Sequence, residues 1–209
     1  MTAGTMPPVT SQAPDGRRAA TRQRLYEAAV TLIAEQGFSA TTVDEIAERA
    51  GVAKGTVYYN FGSKNELFEQ LLRHGIGLLA QSLRDARAAH PGAPLEALDA
   101  MVRAGLVFAV DYPAFMRLLC AEMWRTNRAW QETLRLLREG PDGPVAEVRA
   151  VLDEARADGL LPEEVDTGLA GPAVFGMVLV VALDWLTFQP ERELDDIHAV
   201  IMTLIRART

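Results

Sequence analysis

Twenty-five residues, TVDEIAERAGVAKGTVYYNFGSKNE from Thr42 to Glu66, constrain this chain more than any other stretch. Thr42 with Glu45, and Ser63 with Glu66, have the spacing of capping boxes, in which hydroxyl and carboxylate satisfy open N–H groups at a helix start. Val43, Ile46, Ala47 and Ala50 fall on one helical face, and Gly51 supplies a stop. A second helix must then begin near Ala53 and end before Gly62. Two short helices joined by a tight turn follow a longer one, expected from Arg18 to Gly37, with an apolar stripe of Leu25, Ala29, Leu32 and Ile33. The pattern predicts a helix-turn-helix in a three-helix head.

Helical periodicity continues almost throughout, and strand signals are nearly absent. A long helix through Leu67, Leu71, Leu72, Leu78, Leu79 and Leu83 is expected to end at HPGAP, His90–Pro94. Later breaks are expected at Asp111–Pro113, near Asn127, at Gly140–Pro144, Asp158–Pro162 and Gln189–Glu191. The two most apolar helices are expected last, over about 165–188 and 193–208. The run from Leu169 to Phe188 approaches the length of a membrane span, but it holds Pro172, two glycines and Asp184 and lacks basic flanks. A core or interface helix is the expectation. The fold class is all-α: a disordered arm over 1–17, a head over 18–64, and a helical-bundle domain over 65–209 for ligand binding and dimerisation.

Charge is uneven. Up to Lys64 there are seven basic and six acidic residues, whereas the whole chain carries −7, which leaves −8 on the remainder. An acidic total argues against general nucleic-acid binding, but not against a local reader. The single cysteine, Cys120, permits no intramolecular disulfide, and the opening residues lack the apolar stretch of a signal peptide. A cytoplasmic location is expected.

The chemistry of the second short helix suits a DNA groove. Gly55 lets backbone approach closely, and Lys54 can reach a guanine edge or a phosphate. The Thr56 hydroxyl can serve either. Tyr58 and Tyr59 combine an apolar body with a polar tip. Lys64, in the first turn of the next helix, adds charge where a helix start already attracts anions. Thr42 could bond a phosphate in competition with capping. Phe61 reads as a core plug, and Phe38 as a residue folding back on the first helix. Arg17, Arg18, Arg22 and Arg24 form a solvated face or an arm that touches the minor groove or backbone.

TTVDEIAERAGVAKGTVYYNFGSKNELF closely resembles the DNA-binding segment of the TetR/AcrR family of bacterial repressors. The resemblance runs from about Arg18 to Leu72, about a quarter of the chain. It implies base contacts near Lys54 and Gly55, and phosphate contacts from Thr42, Thr56, Tyr58, Tyr59 and Lys64. It also implies a helical domain behind the head that dimerises, binds a small molecule and thereby changes the spacing of two heads. Two departures stand out. Ala53 occupies a position where the family often has a capping serine or threonine, and Asn60 one where many members have histidine.

In the body, Phe108, Phe115, Met116, Cys120, Met123, Trp124, Trp130, Met177, Trp185 and Phe188 form the core or line a roomy apolar pocket. Asp184, on an apolar helix, must be paired, protonated or exposed at an edge. It is expected to orient a ligand or to bond an arginine such as Arg103 or Arg117. The proposed ligand set is Phe108, Phe115, Met116, Cys120, Trp124, Met177, Asp184 and Trp185. His74, His90 and His198 show no metal spacing, and no phosphate loop, hydrolase elbow or dinucleotide fingerprint occurs. No metal, cofactor or catalytic residue is expected. The expected protein is a dimeric, ligand-responsive regulator, most simply a repressor, on an inverted-repeat operator. The alternative is a helical small-molecule-binding or enzymatic protein with an idle head.

Overall fold

The computed structural model describes residues 16–123, 135–138 and 143–206. Its helices are α1 (Gly16–Gln36), α2 (Val43–Ala50), α3 (Lys54–Phe61), α4 (Lys64–Ala88), α5 (Pro94–Asp111), α6 (Pro113–Met123), α7 (Pro144–Ala157), α8 (Thr167–Phe188) and α9 (Leu194–Arg206). No strand occurs among the described residues. The expected arm, apart from its last two residues, lies outside them, as do Trp124, Trp130 and the break near Asn127.

The stops are made by glycine where the chain turns left-handed. Gly37, Gly51 and Gly62 have φ of 84°, 65° and 74°, a region that penalises a Cβ. At the end of α2, the Gly51 N–H reaches back to the carbonyls of Ala47 and Glu48, and Val52 N donates to Ala47 O at 2.9 Å. Thr42 starts α2 with the complete capping box: Glu45 N donates to Thr42 Oγ1 at 3.2 Å, and Thr42 N donates to Glu45 Oε2 at 2.7 Å. At the start of α4, Glu66 N donates to Ser63 Oγ at 3.1 Å. The late helices differ slightly from expectation. The first of them begins at Thr167, because Asp166 caps it and accepts from Gly168 N at 2.8 Å.

The chain divides into two compact units, with one boundary inside α4. One unit holds the residues up to Gly75 together with Tyr112–Glu122, and the other holds Ile76–Asp111 and the residues from Met123 on. In the first, Leu25, Ile46, Val57, Phe61, Leu67 and Leu71 are all but fully buried. Phe61 is the plug its position suggested: its ring lies 5.3 Å from Tyr26, which stacks on His74 at the same separation. Arg22 ties three helices together, donating to Tyr26 Oη at 3.0 Å and Gln70 Oε1 at 2.6 Å while lying over the Phe61 ring. The Phe115 ring packs straight onto Gly75, where an added Cβ would stand 2.1 Å from it.

The second unit packs α8 against α5, α7 and α9. Phe175, Leu179, Ala182 and Trp185 form the buried side of α8, and the indole N–H of Trp185 donates to Arg192 O at 3.0 Å. By length and composition α8 could cross a membrane, with a mean hydropathy of 2.0 over its best window. Its apolar character instead serves the core on one side. On the other it leaves Leu169, Val180 and Phe188 exposed. Polar contacts fasten the outer helices: Glu147 accepts from Arg84 and Arg87 at 3.3 Å, and Asp99 accepts from Arg206 at 2.8 Å and lies 3.1 Å from His198 Nε2.

Candidate nucleic-acid interface

The turns at Gly51 and the burial of Val43, Ile46, Ala47, Ala50, Val57 and Phe61 decide which side chains of α2 and α3 remain outside. Thr42, Lys54, Gly55, Tyr58 and Tyr59 are exposed and Thr56 is half-buried. Tyr59, at 76 % exposure, is the most open of the head's large hydrophobic side chains among the described residues; the Arg18 guanidinium lies 5.5 Å from its ring centre. An aromatic left this open gains nothing from burial, so its phenol is free for a partner. Apart from the buried Asn60, the apolar and polar residues thus separate. One face of each short helix holds the head together, and the other offers donors.

Gly55 has no reason inside the chain. A Cβ there would meet no atom within 4 Å, and its backbone is not left-handed. A glycine in a helix costs up to about 1 kcal/mol relative to alanine. Ala53 provides no side-chain cap, so the first-turn N–H groups of α3 have no side-chain partner. Asn60 turns inward: its Nδ2 donates to Thr56 O at 2.8 Å, which braces α3 from within.

The two lysines of the motif behave differently. Lys54 extends over the surface to Asp44, its Nζ 2.8 and 3.0 Å from the two carboxylate oxygens. That hydrogen bond, with the charge behind it, raises the Lys54 ammonium above its ordinary value. Lys64 is half-buried, and its ammonium donates to Phe38 O at 2.7 Å and Thr41 O at 2.6 Å while lying 4.3 Å from the Phe38 ring centre. Two of its three protons therefore hold the loop before α2. Thr42 also has internal work, since its hydroxyl donates to Glu45 Oε2 at 2.8 Å. To bond a phosphate it must turn that proton outward. The Thr42 backbone N–H, then its hydroxyl, then Gln36 hold the Glu45 carboxyl below the usual glutamate range.

Sequence reasoning missed Asp44 and the Arg18–Tyr59 contact. A signal for the first existed: the turn at Gly51 brings the first turns of α2 and α3 together, and residues 44 and 54 both lie there.

The proposed ligand set divides between the two units. Phe115, Met116 and Cys120 belong to the first unit, and Phe108, Met177, Asp184 and Trp185 to the second. Phe108, Phe115, Met116 and Trp185 are buried, Met177 and Cys120 are half-buried, and Trp124 lies outside the described residues. Asp184 is exposed, accepts from Gln189 Nε2 at 2.9 Å, and is not in the apolar interior. Arg103, named as its partner, pairs with Asp195 instead. Clefts among the described residues include one of about 470 Å³ bordered by Arg138, Arg149 and Asp153, and none of the proposed ligand residues lines it.

Comparison with known proteins bears on the head and the body differently. Residues 25–71 match the model of the bacterial regulatory proteins of the tetR family. The chain is 35% identical over 104 residues to the HTH-type transcriptional regulator RutR of Escherichia coli K12, covering 50% of this chain and 48% of that one. The chain thus spans about half the length of this curated relative. Among solved structures, a Clostridium perfringens protein described as a fatty acid metabolism regulator is 26% identical, with a TM-score of 0.79 over 89% of this chain and 98% of its own. The regulator FadR of Bacillus subtilis, solved with stearoyl-CoA, shares the fold at a TM-score of 0.74 and 21% identity, over 87% of this chain and 96% of its own.

Proposed function

We propose, for a chain that belongs to the TetR/AcrR family of bacterial regulators, that it is a cytoplasmic transcriptional repressor which binds DNA as a dimer and is released by a largely apolar effector. One observation carries this reading: the exposure of Thr42, Lys54, Gly55, Tyr58 and Tyr59, with the half-buried Thr56, on two short helices. Lys54 and Gly55 are assigned to base edges. Thr56, Tyr58 and Tyr59 are assigned to phosphates, with Thr42 after its hydroxyl turns. Lys64 acts chiefly by positioning the loop before α2, and its third proton remains for a phosphate.

The dimer is assigned to α8 and α9. Apolar content alone puts a dimer interface on the last two helices through Val174, Val178 and Val181 on one and Leu194, Ile197, Ile201, Leu204 and Ile205 on the other. Ile197 and Ile201 are buried in their own chain and cannot meet a second copy. Leu169, Val180 and Phe188 of α8, with Val200 and Leu204 of α9, are exposed by 56–75 % and supply the apolar face instead. Asp184 belongs to this open face, so a role at the dimer fits it better than a role in a ligand pocket. A two-fold dimer puts its recognition helices ~34–36 Å apart or a multiple of that, so the operator is an inverted repeat. The effector must bind the two head spacings unequally to shift the population. A fatty acyl-CoA is the first candidate, because a fold relative was solved with stearoyl-CoA and a second relative is described as a fatty acid metabolism regulator.

The test is selection of genomic DNA fragments on the full chain at two salt concentrations, with stearoyl-CoA added to the retained complex. An enriched inverted repeat, retained more weakly by Lys54→Ala and by Phe188→Glu, the latter as sedimentation shifts to monomer, and steeply salt-dependent, is the expected outcome. Retention without any enriched sequence, or none even at low salt, would sink the reading and leave the head idle.

A further inference from the structure

Asp44 is out of place on a surface that meets phosphates. An acid there is repelled by DNA unless something neutralises it or it has its own donor to meet. The needs of α2 do not explain it, since Glu45 already completes the capping box and supplies a carboxylate in the first turn. Stability does not explain it either. Its pair with Lys54 lies open to solvent, with side chains 64 % and 55 % exposed, and such pairs contribute little.

The geometry has a different use. Nζ of Lys54 sits within 3.0 Å of both Asp44 oxygens, so a donor and an acceptor are held side by side across the first turns of α2 and α3. Next to them Gly55 leaves its side of α3 open. In the major groove a G·C pair shows two acceptors, guanine N7 and O6, followed by one donor, the cytosine N4 amino group. We propose that Asp44 is a specificity-determining residue that reads one G·C pair in each half-site jointly with Lys54. One ammonium proton stays on Asp44, and the other two meet guanine N7 and O6. The second Asp44 oxygen takes the cytosine N4–H. An A·T pair fits worse. There the amino donor stands between two acceptors, and a carboxylate on it faces thymine O4. The inference rests on the DNA-binding reading given above.

Selection from a random duplex library with the full chain tests it, run in parallel on wild type, Asp44→Ala, Asp44→Asn and Lys54→Ala at one salt concentration. Wild type is expected to hold one G·C position in each half-site. Asp44→Ala keeps the rest of the motif and tolerates other bases at that position roughly tenfold better, the scale of one good base contact. Lys54→Ala relaxes the same position. Asp44→Asn shifts it toward A·T, because a carboxamide pairs with adenine N6 and N7; this variant keeps the side-chain shape and serves if Asp44→Ala folds poorly by far-UV dichroism. An unchanged base preference in both Asp44 variants overturns the inference and leaves Asp44 a surface partner. So does relaxation of two different positions by Asp44→Ala and Lys54→Ala. If wild type itself enriches no motif, the DNA-binding reading fails, and this inference with it.

Discussion

The helix-turn-helix segment and the α8–α9 pair are both built from amphipathic helices, yet they show their purpose in opposite ways. In α2 and α3 most outward residues differ in kind from the inward ones: aspartate, glutamate, arginine, lysine, glycine and tyrosine outside, valine, isoleucine, alanine and phenylalanine inside, with Asn60 the buried polar exception. In α8 both sides are apolar, with Phe175 and Leu179 buried and Val180 and Phe188 exposed. Where outside and inside are chemically distinct, spacing alone assigns roles. Where they are alike, only packing does. A surface that contacts a charged polymer must be polar, whereas one that contacts another copy of itself resembles a core.

That comparison is sharpest at Phe115, expected as either a core or a pocket residue. Its ring is 1 % exposed and rests on Gly75. Removing a filled aromatic from such a site costs about 3–5 kcal/mol. Phe115→Ala should therefore lower the denaturation midpoint by the largest margin of any change considered. Chemical denaturation with and without stearoyl-CoA measures it. A small loss of stability together with loss of an effector response would make Phe115 a pocket residue, and the comparison would break.

The next largest effect separates two residues of one type. Lys64→Met keeps an apolar stem over Phe38 but removes charged hydrogen bonds to Phe38 O and Thr41 O. A hydrogen bond to a charged group contributes about 1.5–3 kcal/mol, so a loss near 2 kcal/mol is expected. Lys54→Ala should melt with wild type and retain DNA more weakly. Equal melting of the two variants would mean that both lysines serve the surface and that the polar face of the head is not divided between folding and recognition.

Legibility follows locality. Gly37, Gly51, Gly62 and the capping residues Thr42, Glu45 and Ser63 were readable because each partner lies within four residues. Lys64 was read as a phosphate ligand because its carbonyl partners lie 23 and 26 residues away and carry no side-chain signature. Asp44 and Lys54 are ten residues apart, and only the turn between their helices makes them neighbours. In α9 four of the apolar residues, Ile197, Val200, Ile201 and Leu204, have helical spacing. Two of them face inward and two outward, a division that depends on where α5 and α8 lie. Asp184 looked anomalous because its helix is apolar overall. It is ordinary once that helix is seen to have an open side.

The smallest effect probes the best-read feature. Thr42→Ala removes the hydroxyl that accepts from Glu45 N and donates to Glu45 Oε2, and loss of such a cap costs about 1 kcal/mol. It leaves the Thr42 backbone N–H, the main cause of the depressed Glu45 carboxyl. Because the folded value lies below the unfolded one, the carboxylate's contribution is complete above the usual glutamate range and is lost as pH falls through the folded value. Denaturation of wild type and Glu45→Gln across acid pH should show a constant difference at neutral pH that shrinks below that range. Thr42→Ala, with fewer bonds to the carboxylate, should have a smaller Glu45 contribution, whose loss starts at the same pH as in wild type but is complete at a higher pH. Identical pH profiles for wild type and Thr42→Ala would mean that the hydroxyl contributes nothing to the carboxylate. Thr42 would then be free to turn to a phosphate without loss to the fold.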